Sequence, residues 1–159
     1  TVAVFRIGLH SKSSDRSIDM SCTFCDIVSG KLDAAKVWES HDVLAFIDVR
    51  QAHPGHTLVI PKPHIENIFE LPDDFAGGYM QTISRISRAV NQAFQPDGIS
   101  LWQSNGPGAH QEVPHLHFHI HPRWKDDTVL KVYSEKPETP SPDVLERRAA
   151  LVRSHLEVP

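Results

Sequence analysis

Hydrophobic residues alternate with histidines from His115 to His121, where the chain reads His-Leu-His-Phe-His-Ile-His. A period of two is the period of a β-strand, so this pattern predicts a strand with all its imidazoles on one face. Leu116, Phe118 and Ile120 would point to the other face and pack in the core. We therefore expect a half-buried strand whose other face carries a row of titratable rings.

Apolar stretches of strand length occur at four other places, separated by turn-forming residues. They predict strands at residues 34–39, 43–48, 56–61 and 99–103. A weaker apolar pattern predicts a short strand at residues 129–132.

Apolar residues recur at steps of three and four after Pro72, which predicts a long amphipathic helix. Its apolar face comprises Phe75, Tyr79, Ile83, Ile86, Val90 and Phe94. Residues 24–29 predict a short helical turn, and residues 142–157 predict a C-terminal helix. A five-stranded antiparallel sheet with one long helix and a C-terminal helix is an α+β fold.

Length and charge limit the classes of function. We expect a flexible extension at residues 1–19, one domain at 20–124, and a tail with a terminal helix at 125–159. The net charge of −4 and the lack of a long basic block argue against nucleic acid as a partner. No apolar run reaches transmembrane length, so we expect no membrane partner either.

The two cysteines, Cys22 and Cys25, have the Cys-x-x-Cys spacing. A secreted disulfide scaffold would need more cysteines, so we expect a cytoplasmic protein with reduced thiols. The pair would either hold a metal ion or act in redox chemistry, but no thioredoxin-like βαβ context surrounds it. Two histidines would complete a tetrahedral zinc site, and the spacing alone does not choose them.

The histidine row permits phosphoryl chemistry, because a neutral imidazole is a competent nucleophile. Such a site also needs hydrogen-bond donors for the oxygens on which charge builds. The glycine-containing segment from Asn105 to Gln111 could offer backbone amides. The alternative is a non-catalytic module that uses the histidine face to bind metal or a partner.

Several ordered motifs between Cys22 and Trp124 resemble the histidine triad (HIT) family. They are the histidine run with Gln111-Glu112-Val113-Pro114 before it, the segments 44–48 and 55–64, and Asn105-Gly106. The chain looks most similar to the Hint-like, bacterial-type branch that has a Cys-x-x-Cys zinc site. Members of the family are nucleotide hydrolases and transferases that attack an α-phosphate and form a nucleotidyl-histidine.

The resemblance implies roles for individual residues. His117 would be the nucleophile, His119 would contact the phosphate, and His56 would support the catalytic strand. Asp48 would accept hydrogen bonds from ribose hydroxyls. Phosphate oxygens would be bound by Asn105 and Gln111, and an apolar base pocket would be lined by Phe24, Ile27, Phe46 and Leu58.

The resemblance also implies a structural zinc ion, held by Cys22, Cys25, His64 and His115. It further implies a homodimer that pairs through residues 75–94 and 99–103. The substrate would be a purine nucleotide conjugate whose cleavage releases a nucleoside monophosphate. The near alternative is a dinucleoside polyphosphate hydrolase.

Three residues depart from the family pattern. His121 stands where the family usually has an aliphatic residue, and His110 stands where it usually has a glycine. Glu112 stands where some members have a hydroxyl residue.

Overall fold

The computed structural model describes residues 22–129, 135 and 137–156. The extension expected at residues 1–19 and most of the strand expected at 129–132 lie outside them. Contacts divide the chain after Lys125 into two units, which we describe separately.

The first unit contains a five-stranded antiparallel sheet with the strand order β1-β2-β3-β5-β4. Its strands are β1 (Lys36–Glu39), β2 (Val43–Ile47), β3 (Thr57–Pro61), β4 (Gly98–Trp102) and β5 (Phe118–Arg123). This arrangement confirms the predicted sheet.

The sheet buries a different cluster on each face. Helix α2 (Asp73–Phe94) covers one face with its predicted apolar side, and the Tyr79 hydroxyl donates to the Val59 carbonyl across 2.6 Å. The short helix α1 (Thr23–Val28) belongs to the cluster on the other face. The α2 cluster includes Ala45, Val59, Leu116 and Ile120, and the α1 cluster includes Leu44, Phe46, Leu58 and Ile60.

A glycine lets the end of α2 approach the loop between β2 and β3. Gly55 has φ +91, and a Cβ placed there would lie 2.4 Å from ring carbons of Phe94. Phe94, predicted to lie on the buried face, is instead 38% exposed, with its ring against this glycine.

Strand β5 begins later and ends later than the histidine pattern predicts. It starts at Phe118, so His115 and His117 lie in the segment that precedes it. The strand continues through Pro122 to Arg123, because pairing with β4 extends beyond Ile120, the last residue that pairs with β3. The β3–β5 ladder has ended before Pro122, so the missing N–H group of the proline costs no hydrogen bond to β3.

The second unit contains helix α3 (Pro142–Arg153), which confirms the C-terminal helix but ends it earlier than residue 157. Its apolar side chains Leu145 and Val152 are 47% and 63% exposed. Among the residues that the structure describes, no helix has the length and apolar character needed to cross a membrane.

Candidate active site and metal centre

The fold brings together the histidines that the resemblance assigns to catalysis. The rings of His117 and His119 are 4.9 Å apart, and the ring of His56 stacks on His119 at 5.1 Å. His117 also meets the ring of Phe24 edge-on at 5.2 Å. His56 directly precedes β3, His117 directly precedes β5, His119 lies on β5 and Phe24 lies on α1.

Trp102 is a site residue that the sequence analysis did not identify. It lies directly opposite His119 in the β4–β5 register, and the two rings stack at 4.7 Å. Its ring also lies 5.7 Å from that of His56. The register sets this contact, and the strand pattern alone does not provide the register.

A main-chain carbonyl fixes the tautomer of His117. Its Nδ1 lies 2.6 Å from the carbonyl oxygen of His115, and a carbonyl only accepts, so Nδ1 carries the hydrogen. Nε2 therefore keeps its lone pair, as a nucleophile requires. Burial lowers the pKa of His117, so the ring is neutral at pH 7.

A chain of hydrogen bonds links His119 to the main chain. His56 donates from Nδ1 to the Arg50 carbonyl across 3.0 Å, so its Nε2 accepts from His119 Nδ1 across 2.9 Å. His119 Nε2 then also keeps a lone pair. If a proton is added there, the bridging hydrogen can move to His56, whose Nδ1 is 3.5 Å from Asp48 Oδ2.

The environment keeps His119 neutral in the free protein. Burial, together with the charges of the neighbouring rings of His117 and His56, lowers its pKa to about 3. A proton on His119 Nε2 therefore needs a negative charge beside it, such as a phosphate oxygen.

Asp48 directly follows β2 and lies beside the row, and the residue is only 4% exposed. Its Oδ1 accepts from the Arg50 backbone N–H across 2.8 Å. In the free protein this carboxylate braces the loop after β2, and its contact with ribose stays a prediction.

Asn105 and Gln111 organise the loop before β5. Asn105 Oδ1 accepts from the Ile68 backbone N–H across 2.8 Å, and Gln111 Oε1 accepts from that of Gly106 across 2.7 Å. His110 in the same loop has φ 59, in the left-handed region that favours glycine. Phosphate contacts by the two amides stay predictions.

The residues predicted to line a base pocket form part of the buried cluster under α1. They are Phe24, Ile27, Phe46 and Leu58, and each is 4–6% exposed. Through Phe24 the cluster reaches the ring of His117, so it lies next to the predicted nucleophile. Whether it receives a base stays a prediction.

His121 lies behind the row, with its ring 4.6 Å from that of His56. It is 1% exposed and donates from Nδ1 to the Pro122 carbonyl across 2.8 Å. Within the described residues its Nε2 has no hydrogen-bond partner.

Cys22, Cys25, His64 and His115 converge, and their ligand atoms all lie within 4.8 Å of one another. Each sulfur is 3.3 Å from an imidazole nitrogen: Cys22 from His115 Nδ1, and Cys25 from His64 Nδ1. Sulfur and nitrogen ligands of one tetrahedral zinc ion are about 3.5 Å apart, so the cluster fits that ion.

The protonation of His115 fits the same role. Its Nε2 donates to the Pro61 carbonyl across 2.8 Å, which leaves the Nδ1 lone pair facing the thiols. Burial lowers the pKa of His115 to about 4, so the ring stays neutral. Burial and the Cys22 thiol raise the pKa of Cys25 to about 11, so binding a cation there would release a proton.

The chain is similar to known proteins in sequence and in structure. The family model described as "HIT domain" matches residues 29–126. "Protein hit" of Bacillus subtilis is 39% identical over 137 residues, covering 86% of this chain and 94% of that protein. The adenosine 5'-monophosphoramidase of Schizosaccharomyces pombe is 37% identical over 113 residues, covering 71% and 82%.

A zinc-bound histidine triad family protein from Mycobacterium smegmatis has a similar solved structure. The two chains are 35% identical with a TM-score of 0.64, and the match covers 85% of this chain and 96% of that one.

Proposed function

The chain belongs to the HIT domain family, and we propose that it is a nucleotide hydrolase or transferase acting on purine nucleotide conjugates. The observation that carries the proposal is the free Nε2 lone pair of the neutral, buried His117. The hydrogen-bonded pair of His119 and His56 beside it supports the same chemistry.

The reaction would proceed in two displacements. His117 Nε2 attacks the α-phosphorus, the bond to the leaving group breaks, and the leaving group departs with a proton taken from solvent. The His115 carbonyl holds the Nδ1 hydrogen as positive charge develops on the ring. A water molecule then attacks the phosphorus and gives up a proton to solvent, the bond to His117 breaks, and the neutral ring and a nucleoside monophosphate are released.

His119 would stabilise the charge on the phosphate oxygens. The approaching phosphate favours a proton on His119 Nε2, and the hydrogen between His119 and His56 can then move to His56. The carboxylate of Asp48 lies 3.5 Å from His56 and would stabilise the resulting cation. His56 would thus act through His119.

A structural zinc ion would be held by Cys22, Cys25, His64 and His115. Four protein ligands make a closed site, which serves structure and leaves no open position for substrate. Because His115 lies two residues before His117, the ion would fix the start of the catalytic segment. The reduced thiols it requires support the prediction of a cytoplasmic location.

A homodimer through α2 and β4 is part of the proposal. β4 is an edge strand, and its Leu101 is 47% exposed. Met80 on α2 is 50% exposed, and it lines the same depression as Leu101. An apolar patch beside an unpaired strand edge is suited to a second copy of the chain.

Phosphoramidates are the proposed substrate type, because relatives from S. pombe and Saccharomyces cerevisiae carry the name adenosine 5'-monophosphoramidase. Dinucleoside polyphosphates are the alternative, since the same row would attack their phosphorus. The two classes are separated by comparing kcat/KM for adenosine 5'-phosphoramidate and diadenosine polyphosphates.

Turnover by a nucleophile variant tests the enzymatic proposal. His117→Ala removes the attacking atom, so we expect kcat to fall by at least about 10⁴-fold. The control is His41→Ala, an exposed histidine in the turn between β1 and β2. Undiminished release of AMP by His117→Ala would contradict the assignment and would favour the non-catalytic alternative.

A further inference from the structure

Arg50 is built into the active site by its main chain. Its N–H group donates to Asp48 Oδ1 across 2.8 Å, and its carbonyl accepts from His56 Nδ1 across 3.0 Å. Both partners of its backbone are buried residues of the candidate site. The backbone of Arg50 is therefore held in place by two residues of the candidate site, Asp48 and His56.

The side chain of Arg50 bridges two loops. Its Nη1 lies 2.6 Å from Glu112 Oε2, so the loop after β2 is joined to the loop before β5. The side chains of Arg50 and Glu112 are 68% and 63% exposed. The two loops joined in this way carry Asp48 and Gln111, both of which face the substrate in the proposed function.

Both charges act on the catalytic histidines. Burial is the main cause that lowers the pKa of His117, and the Arg50 charge lowers it further while that of Glu112 opposes it. Arg50 also contributes to the lowered pKa of His119, after burial and the neighbouring rings. The main-chain contacts with Asp48 and His56 place Arg50 at the same site.

We propose that Arg50 is a phosphate-binding residue of this active site, and that Glu112 is a resident counter-ion which the phosphate of the nucleotide displaces. This inference rests on the proposed function, because it assigns a binding residue to the same reaction. A guanidinium can donate two parallel hydrogen bonds to two phosphate oxygens. Its contact with Glu112 involves one carboxylate oxygen, at 2.6 Å.

Exposure makes the exchange feasible. An ion pair this open to water is weak, so the phosphate of a bound nucleotide competes well for the guanidinium. The main-chain bonds of Arg50 do not depend on Glu112, so the residue stays in place when the ion pair opens. Glu112 therefore lowers affinity in the free protein without positioning Arg50.

Two single variants test this inference by the sign of their effects. We expect Arg50→Gln to raise the Kd of AMP about tenfold, because a charge-assisted bond to phosphate is lost. We expect Glu112→Gln to lower that Kd by about threefold, because the competing carboxylate is gone. Calorimetric titration with AMP measures both, and adenosine is the probe without a phosphate.

The matched control is Glu39→Gln, which removes the carboxylate of another 2.6 Å ion pair, with Lys62. We expect it to leave AMP binding unchanged. If the Arg50–Glu112 pair were only a structural brace, both variants would weaken AMP binding in the same direction. That result, or an equal loss of adenosine and AMP affinity in Arg50→Gln, would overturn the inference.

The same titrations separate this inference from the proposed function. A wild-type protein that binds neither AMP nor adenosine would contradict the function itself. A wild-type protein that binds AMP, with variants that shift Kd in the same direction, would contradict only the roles given to Arg50 and Glu112.

Discussion

Individual hydrogen bonds give the four histidines of the run different chemistry. His115 donates from Nε2 to a carbonyl and keeps Nδ1 free, whereas His117 donates from Nδ1 and keeps Nε2 free. The sequence predicted that both residues belong to functional sites. It could not provide the tautomers, because the accepting carbonyls belong to Pro61 and to His115 itself, and the fold brings them into place.

Acid is expected to destabilise the fold through His119. Burial lowers its native pKa to about 3, whereas the unfolded value is about 6.5. Below about pH 6.5 the unfolded chain binds a proton that the native state does not bind. The free energy of unfolding therefore decreases as the pH decreases. The full stability is present above that pH, and we expect a loss of about 1 kcal/mol between pH 7 and pH 5, after allowing for solvent screening.

Urea denaturation at the two pH values measures this effect. In His119→Gln the loss between pH 7 and pH 5 should be smaller by that amount, whereas the exposed control His41→Gln should keep the wild-type pH dependence. An identical pH dependence in His119→Gln and wild type would contradict the predicted contribution.

Strands and helices could be predicted well, but the ends of β5 and the end of α3 could not. The alternating pattern does not distinguish a strand from an extended segment without a ladder, so it placed His115 and His117 inside the strand. The beginning of β5 depends on its pairing of Phe118 with Val59. Such partners lie far away along the chain, and no local pattern contains them.

A zinc ion would join α1 to the segments that follow β3 and precede β5. We expect about one zinc per chain in the purified protein, measured by inductively coupled plasma mass spectrometry. If free zinc is about 100 times its Kd, chelation should cost about 2.7 kcal/mol of stability.

Ligand variants check the same site. His64→Ala and Cys22→Ser/Cys25→Ser should lower the zinc content, and His41→Ala should retain it, since His41 is outside the cluster. Stoichiometric zinc in the double cysteine variant would contradict the site.

The chain as a whole combines a fold class that could be predicted with an assembly that stays a prediction. Five strands, the long helix and the C-terminal helix follow from periodicity, and the structure confirms them. The partner of the α2–β4 surface cannot be predicted from periodicity. An apolar position in the pattern can pack either in the core of one chain or against a second chain.

Solution mass tests the dimer. Met80→Glu/Leu101→Glu should shift the protein from dimer to monomer, because two charges would be buried at the interface. Val37→Glu on β1, the opposite edge strand, is the control and should stay dimeric. A wild-type monomer by light scattering at micromolar concentration would contradict the proposed assembly.

The nucleotidyl-histidine is the step on which the proposed function depends most directly. Incubation with adenosine 5'-phosphoramidate labelled at the phosphorus, followed by a rapid denaturing quench and peptide mass spectrometry, measures it. We expect the label on the peptide that contains His117 in the wild type, and no label in His117→Ala. Turnover of the substrate without any label at His117 would contradict the two-step mechanism.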